Sequence, residues 1–123
     1  EDYGSHDFGR WFDESCVEWQ KDTQYNLRTL KRLEHDFSSR LQRDHVLTMN
    51  EVYDELGLER TKAGFEWGWV CQKGTEPQTF VSFGIPWEDD EWIDEMVHNN
   101  ERYFFMDFNC SKIIFAETPY REV

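Results

Sequence analysis

Apolar residues recur at helical spacing in one long stretch, "TQYNLRTLKRLEHDFSSRLQRD". Leu27, Leu30, Leu33, Phe37 and Leu41 fall three or four apart, which stacks them on one face of a helix. Arg28, Lys31, Arg32, Arg40 and Arg43 lie mainly on the other sides. The spacing therefore predicts a helix over roughly residues 24–43, with a buried stripe and a solvated basic back. Upstream, "RWFDESCVEWQ" offers Trp11, Phe12, Cys16 and Trp19 as the apolar side of a shorter helix. "TMNEVYDELGL" carries both punctuation marks of a short helix. Thr48 is placed to cap it, Glu51 stands three residues on as in a capping box, and Gly57 follows the last turn, where a left-handed residue closes a helix.

Beyond Gly64 the period shortens. "FEWGWVCQ" and "TFVSFGI" are rich in aromatic and β-branched residues and are separated by "KGTEPQ", so they read as a hairpin. "RYFFMDFN" reads as a further strand, with Phe104, Met106 and Phe108 on one face and Tyr103, Phe105 and Asp107 on the other. "KIIFAE" is a fourth candidate. Helices first and strands afterwards predict an α+β fold, with N-terminal helices packed on a small antiparallel sheet of three to four strands. The strands are expected at residues 65–72, 78–85 and 102–109. At 123 residues the chain has room for one domain. The organisation expected is an acidic segment over 1–23, containing the shorter helix, and a single α+β domain over 24–123.

"PWEDDEWIDEMV" interrupts the strand pattern with six carboxylates, two tryptophans and no positive side chain. As a helix after Pro86 it places Trp92, Ile93, Met96 and Val97 on one side and spreads Asp90, Glu91, Asp94 and Glu95 over the rest. Two readings survive: an ordinary amphipathic lid on the sheet, or a protein-binding surface with Trp87 or Trp92 as an anchor inside a charged rim. The candidate binding residues are Trp87, Glu88, Asp89, Asp90, Glu91, Trp92, Asp94 and Glu95.

The residues "VLTMNEVYDELGLERTKAGFEWGWV" resemble, as a set, the C-terminal part of a phage and prophage protein family of Gram-positive bacteria, a domain of unknown function. The matching positions are Leu47, Thr48, Met49, Asn50, Glu51, Val52 and Tyr53, then Leu56, Gly57 and Leu58, then Gly68 and Trp69. The resemblance covers residues 24–72 well and 102–109 weakly. Val52 stands where the family has an aromatic residue, and the stretch from Ile85 to Glu101 looks like an insertion. The motif is a structural signature without a catalytic residue. What it implies is a phage origin and a structural or accessory role in the virion or in host takeover.

Charge narrows the partners. The formal net charge is −13, of which −7 falls within residues 73–101. Binding nucleic-acid phosphates or an anionic membrane needs the opposite sign, so the partner expected is another protein, phage or host, with a basic surface. Cys16, Cys71 and Cys110 are odd in number and fit a reduced, intracellular setting. No apolar run is long enough to cross a bilayer and no signal peptide opens the chain, so the host cytoplasm or the virion is the expected location. Chemistry finds little support. Six acids in one exposed run stay hydrated rather than separating into acid and base. "DDEWIDE" lacks the EF-hand alternation, the four histidines are dispersed, and there is no nucleophile elbow or Gly-rich phosphate loop. Neither a catalytic residue nor a metal or cofactor is therefore assigned. The reading is a non-enzymatic virion or assembly component. An acidic inhibitor occupying the basic nucleic-acid groove of a host defence protein is the alternative, and a small hydrolase or metal enzyme is a weaker third.

Overall fold

The computed structural model describes residues 8–71 and 80–113. Along the chain run β1 (Arg10–Phe12), α1 (Thr23–Asp44), β2 (Val46–Thr48), α2 (Met49–Leu56), a 3-10 turn (Ala63–Phe65), β3 (Trp67–Val70), α3 (Asp90–His98), β4 (Phe104–Met106) and β5 (Ser111–Lys112). The class is α+β, and every strand pair is antiparallel.

The α1 helix follows its sequence pattern. Leu27, Leu30, Leu33, Phe37 and Leu41 are all buried. The Asp22 side chain accepts the Tyr25 N–H at 2.8 Å, which satisfies one of the unpaired donors of the first turn. His45 closes the helix in a left-handed conformation, φ 73°, and donates its N–H to the Leu41 carbonyl. The capping box of α2 is also present: Glu51 N–H donates to Thr48 Oγ1 and Thr48 N–H donates to Glu51 Oε1 at 2.9 Å. Gly57 sits at φ 83° as anticipated.

The strands are arranged differently from the expected single sheet. They form a two-stranded ribbon, β1–β4, and a three-stranded sheet in the order β2–β3–β5. The β2 strand was not anticipated. It pairs Leu47 with Trp69 and Thr48 with Gly68, so the two halves of the sequence motif lie side by side. At Gly68 an added Cβ would run into the Leu47 carbonyl oxygen and the Thr48 backbone, which is why the strand carries no side chain there. The hairpin expected between 65–72 and 78–85 does not form from the described residues: β3 is flanked by β2 and β5, while its proposed turn at 73–78 lies outside them. Residues 80–85 are not a strand, although Val81, Phe83 and Ile85 are buried in alternation. Their backbone donors go to side chains instead: Val81 N–H to Ser38 Oγ, Ser82 N–H to Asn109 Oδ1 and Phe83 N–H to Glu34 Oε2. The strand within 102–109 shortens to three residues and pairs with β1. "KIIFAE" contributes only Lys112 to β5, and its residues from 114 on lie outside the described part.

The shorter helix expected over residues 10–20 is absent. Arg10–Phe12 is strand, and turns follow. Phe12 points into the core and Trp11 away from it, while the Asp13 carboxylate accepts both the Ser15 N–H and the Ser15 hydroxyl, a local bonding pattern that competes with helix. The chain from Phe8 to Asp22, set apart by its acidity, is stitched into the same core. Phe8, Phe12 and Cys16 are buried. Trp19 Nε1 donates to the Arg102 carbonyl at 2.7 Å, and the buried Asn26 side chain bonds Gln20 N–H, Gln20 O and Arg102 O.

Thr48→Ala removes one half of the capping box and is expected to lower stability by about 1 kcal/mol. Gly68→Ala is expected to cost more, about 2 kcal/mol or above, because a backbone carbonyl cannot move aside as a side chain can. Denaturant unfolding of both variants checks the order; a Gly68→Ala protein as stable as the parent would mean that β2 and β3 do not approach as described.

Candidate functional site

The acidic stretch folds as the amphipathic helix its spacing predicts. Asp89 caps it, accepting the Trp92 N–H at 3.1 Å. Asp90 and Glu91 occupy the first turn, where negative charge meets the positive end of the helix dipole. Trp92, Ile93, Met96 and Val97 are half-buried against the core, whereas Glu88, Asp89, Asp90, Glu91, Asp94 and Glu95 are exposed. No residue of α3 is fully buried. The helix lies on the molecule as a ridge, and its carboxylates fan outward rather than converging. Among the described residues no group of three His, Cys, Asp or Glu side chains could hold a metal ion.

Two features set this ridge apart from a plain lid. Asp90 with Asp94, and Glu91 with Glu95, are like-charge pairs one helical turn apart, each destabilising by a few tenths of a kcal/mol. The only basic residue in the last turn is His98. The fold thus tolerates a repulsion that it does not use. The ridge also borders two depressions. One, about 780 Å³, is lined by Ile85 to Glu91. The other, about 630 Å³, runs between α1 and α3 past Leu27, Arg28, Ile93, Asp94, Val97 and His98.

The two tryptophans proposed as anchors both serve the fold. Trp92 packs at a tilt on Phe104, ring centroids 6.1 Å apart. Trp87 donates its Nε1–H to Glu34 Oε1 at 2.8 Å, and Lys31 Nζ lies 5.6 Å from its ring centroid. The outer surface is therefore carried by the carboxylates. Glu34 was not singled out in the sequence, where it is one acid on the polar side of a helix. Its two oxygens accept the Trp87 indole and the Phe83 backbone N–H, clamping residues 83–87 to α1. Burial pushes the Glu34 carboxyl above its ordinary range, although the two donors and nearby Lys31 pull the other way. Burial likewise raises the Cys16 thiol, and pushes that of Cys110 up to about 11. These are packed thiols held protonated, the opposite of an activated nucleophile.

A family of unknown function, DUF6353, matches residues 4–116. The chain belongs to that family. The DUF6353 match spans the residues of every described element, from Arg10 to Lys112. No curated protein and no solved structure matches the chain.

Glu34→Gln keeps the size of the side chain but replaces one oxygen by an amide nitrogen that cannot accept, whereas the protonated carboxyl of the parent keeps a lone pair on both oxygens, so the substitution is expected to lower stability by about 1 kcal/mol at low pH. The pH dependence has a definite sign. A carboxyl raised in the folded protein binds its proton more tightly than the unfolded chain does, so it stabilises the fold most at low pH. That contribution declines as pH rises from the ordinary value of 4.5 through the raised one. The gap in melting temperature between parent and Glu34→Gln should therefore narrow as pH rises above 4.5. A gap that widens with pH would show that the ionised carboxylate is the better-held form.

Proposed function

We propose that this chain is a non-enzymatic, phage-encoded accessory component of the virion or of its assembly, and that it works by holding a basic protein partner on the α3 ridge. The observation that carries the reading is the pair of like-charge contacts on an exposed helix whose opposite side is already committed to the core. Within the fold their mutual repulsion is a cost that the helix dipole offsets only in the first turn; outside it they present a concentrated negative field to a partner of opposite sign. The phage setting rests on the resemblance of Leu47 to Tyr53, Leu56 to Leu58 and Gly68–Trp69 to phage and prophage proteins. Mass spectrometry of purified particles of the encoding phage tests the assignment. The chain is expected among the particle proteins. Its absence from particles, with early expression and salt-sensitive binding to a host nucleic-acid enzyme, would identify it instead as an acidic inhibitor.

Replacing Asp89, Asp90, Glu91 and Glu95 together by Asn or Gln should leave stability nearly unchanged, since Asn caps a helix about as well as Asp and one repulsive pair is removed from each register. Association with the partner should slow, and its rate should lose most of its dependence on salt, because exposed charges act over about 8 Å at physiological ionic strength. Stopped-flow mixing at two salt concentrations reads both quantities. An unchanged rate would place the binding surface elsewhere on the molecule.

A further inference from the structure

The β1–β4 ribbon buries one face and leaves the other uncovered. Phe12, Phe104 and Met106 point into the core. Trp11 and Phe105, directly paired across the two strands, point outward, with relative exposures of 53% and 40%. Their rings meet edge to face with centroids 5.3 Å apart. Tyr103, two residues before Phe105 and so on the same face, is also exposed and stacks on Trp19 with rings 6° from parallel and centroids 5.5 Å apart. The result is a row of aromatic rings on the surface of a three-residue ribbon. Three large exposed rings, two of them in register across the ribbon, are more than scattered surface apolar residues require, and aromatic clusters are what interface centres are made of.

The border of the row is acidic. Glu14 accepts the Tyr103 hydroxyl at 2.9 Å, Asp13 is its chain neighbour, and Asp107 continues the outward face beyond Phe105. The arginine of the ribbon does not offset them at the surface. Arg10 turns back, its guanidinium carbon 4.9 Å from the ring centroid of the buried Tyr53, and Nη1 donates to the Gly9 carbonyl. Arg102, beside Tyr103 in the chain, is half-buried and its charge reaches the Tyr103 hydroxyl, so one cation stands against the three carboxylates Asp13, Glu14 and Asp107. A second copy of this chain is a poor occupant, since it would bring the same carboxylates face to face on a molecule of net charge −13. A flat cation with a forked set of donors is a good one: guanidinium groups stack on aromatic faces and bond carboxylates two at a time.

We infer that the outer face of the β1–β4 ribbon is a docking platform for an arginine-bearing segment of a partner protein, with Trp11, Phe105 and Tyr103 stacking the guanidinium groups and Glu14 and Asp107 receiving their N–H donors. This surface is separate from the acidic ridge. Trp92 of α3 packs on Phe104, which faces the opposite way from Phe105, so the inference stands whether or not the ridge binds a partner.

The test is a nuclear magnetic resonance titration of the full chain with a synthetic peptide of alternating arginine and glycine, beside the matching lysine peptide. The Trp11 indole N–H and the Phe105 amide should shift on adding the arginine peptide, while the amides of Asp90 and Glu91 should move little. Trp11→Ser, an exposed substitution, should weaken binding at least tenfold, and the lysine peptide should bind several-fold more weakly than the arginine one. Glu14→Gln with Asp107→Asn leaves the rings in place and should weaken binding while flattening its salt dependence, which keeps the test open if Trp11→Ser folds poorly. Shifts confined to residues 88–95, equal affinity for the two peptides, or unchanged affinity in both variants would overturn the proposal. So would concentration-dependent shifts of Trp11 and Phe105 without peptide, because the occupant would then be a second copy.

Discussion

Thr48 belongs to two elements at once, and the rest of the fold is hung on that junction. It is the last residue of β2 and the N-cap of α2, so the sheet and the helix share a residue with no linker between them. The strand can end there only because Gly68 stands opposite and lets the backbones of β2 and β3 approach. The reciprocal bonds of Thr48 and Glu51 then turn the chain into α2. Asn50, buried on that first turn, bonds both the N–H and the carbonyl of Thr61 at 2.9 and 2.8 Å. That pair of bonds brings the chain back towards β3. Each step is local, yet together they fix where Trp69 enters the core, and Trp69 in turn donates to Asn109 at 2.7 Å.

Side-chain amides and one carboxylate do the work that a larger sheet would do with its backbone ladder. Asn109 accepts from Trp69 and Ser82 and donates to the Phe80 carbonyl. Asn26 ties Gln20 and Arg102 to α1, and Glu34 ties Phe83 and Trp87 to the same helix. The buried Asn26 and the half-buried Glu34 would be costly unless satisfied, and each has its partners. The consequence is a small molecule in which strands of two to four residues suffice. The segments that would otherwise need long pairings are held by single, well-placed acceptors on α1 and next to β4.

Periodicity reports which way side chains point, and it was reliable except at Trp11, expected on the apolar side of a helix and found exposed on a strand. It placed the α1 stripe, the half-buried side of α3 and the two faces of residues 103–108. The strand expected over 78–85 misled: Val81, Phe83 and Ile85 are buried in alternation, but alternation does not say what the backbone bonds to. That segment alternates like a strand while its donors go to Ser38, Asn109 and Glu34. Strand pairing was illegible for a related reason. Three residues such as Val46–Thr48 contain too little alternation to announce a strand, and the partner of β4 lies more than ninety residues away at Arg10–Phe12. Capping signals were legible because their partners are three residues apart. Of the candidate surface, the acids and the amphipathic helix could be read directly. The inward commitment of Trp87 could not, because it depends on Glu34, 53 positions back along the chain.

The exposed surfaces share one strand, and the way that strand is held shapes how they can communicate. Phe104 meets Trp92 on the inner side of β4 while Phe105 meets Trp11 on the outer side. The strand is pinned at both ends: the Arg102 carbonyl accepts from Trp19 and Asn26 before it, and Asp107 N–H donates to the Phe83 carbonyl at 2.8 Å after it. A strand fixed by bonds on both sides of three residues has little freedom to slide, so an occupant on one face cannot readily signal to the other by displacement. Charge reaches further than displacement here. The ridge acids and the carboxylates of the ribbon are exposed, so they contribute to one negative field at low salt, where the screening length is long, and much less at physiological salt, where it is about 8 Å. Basic groups bound at either face would lower the repulsion felt at the other. The physical link between the two surfaces is therefore electrostatic, and it weakens as salt is added while the fold itself stays as it is.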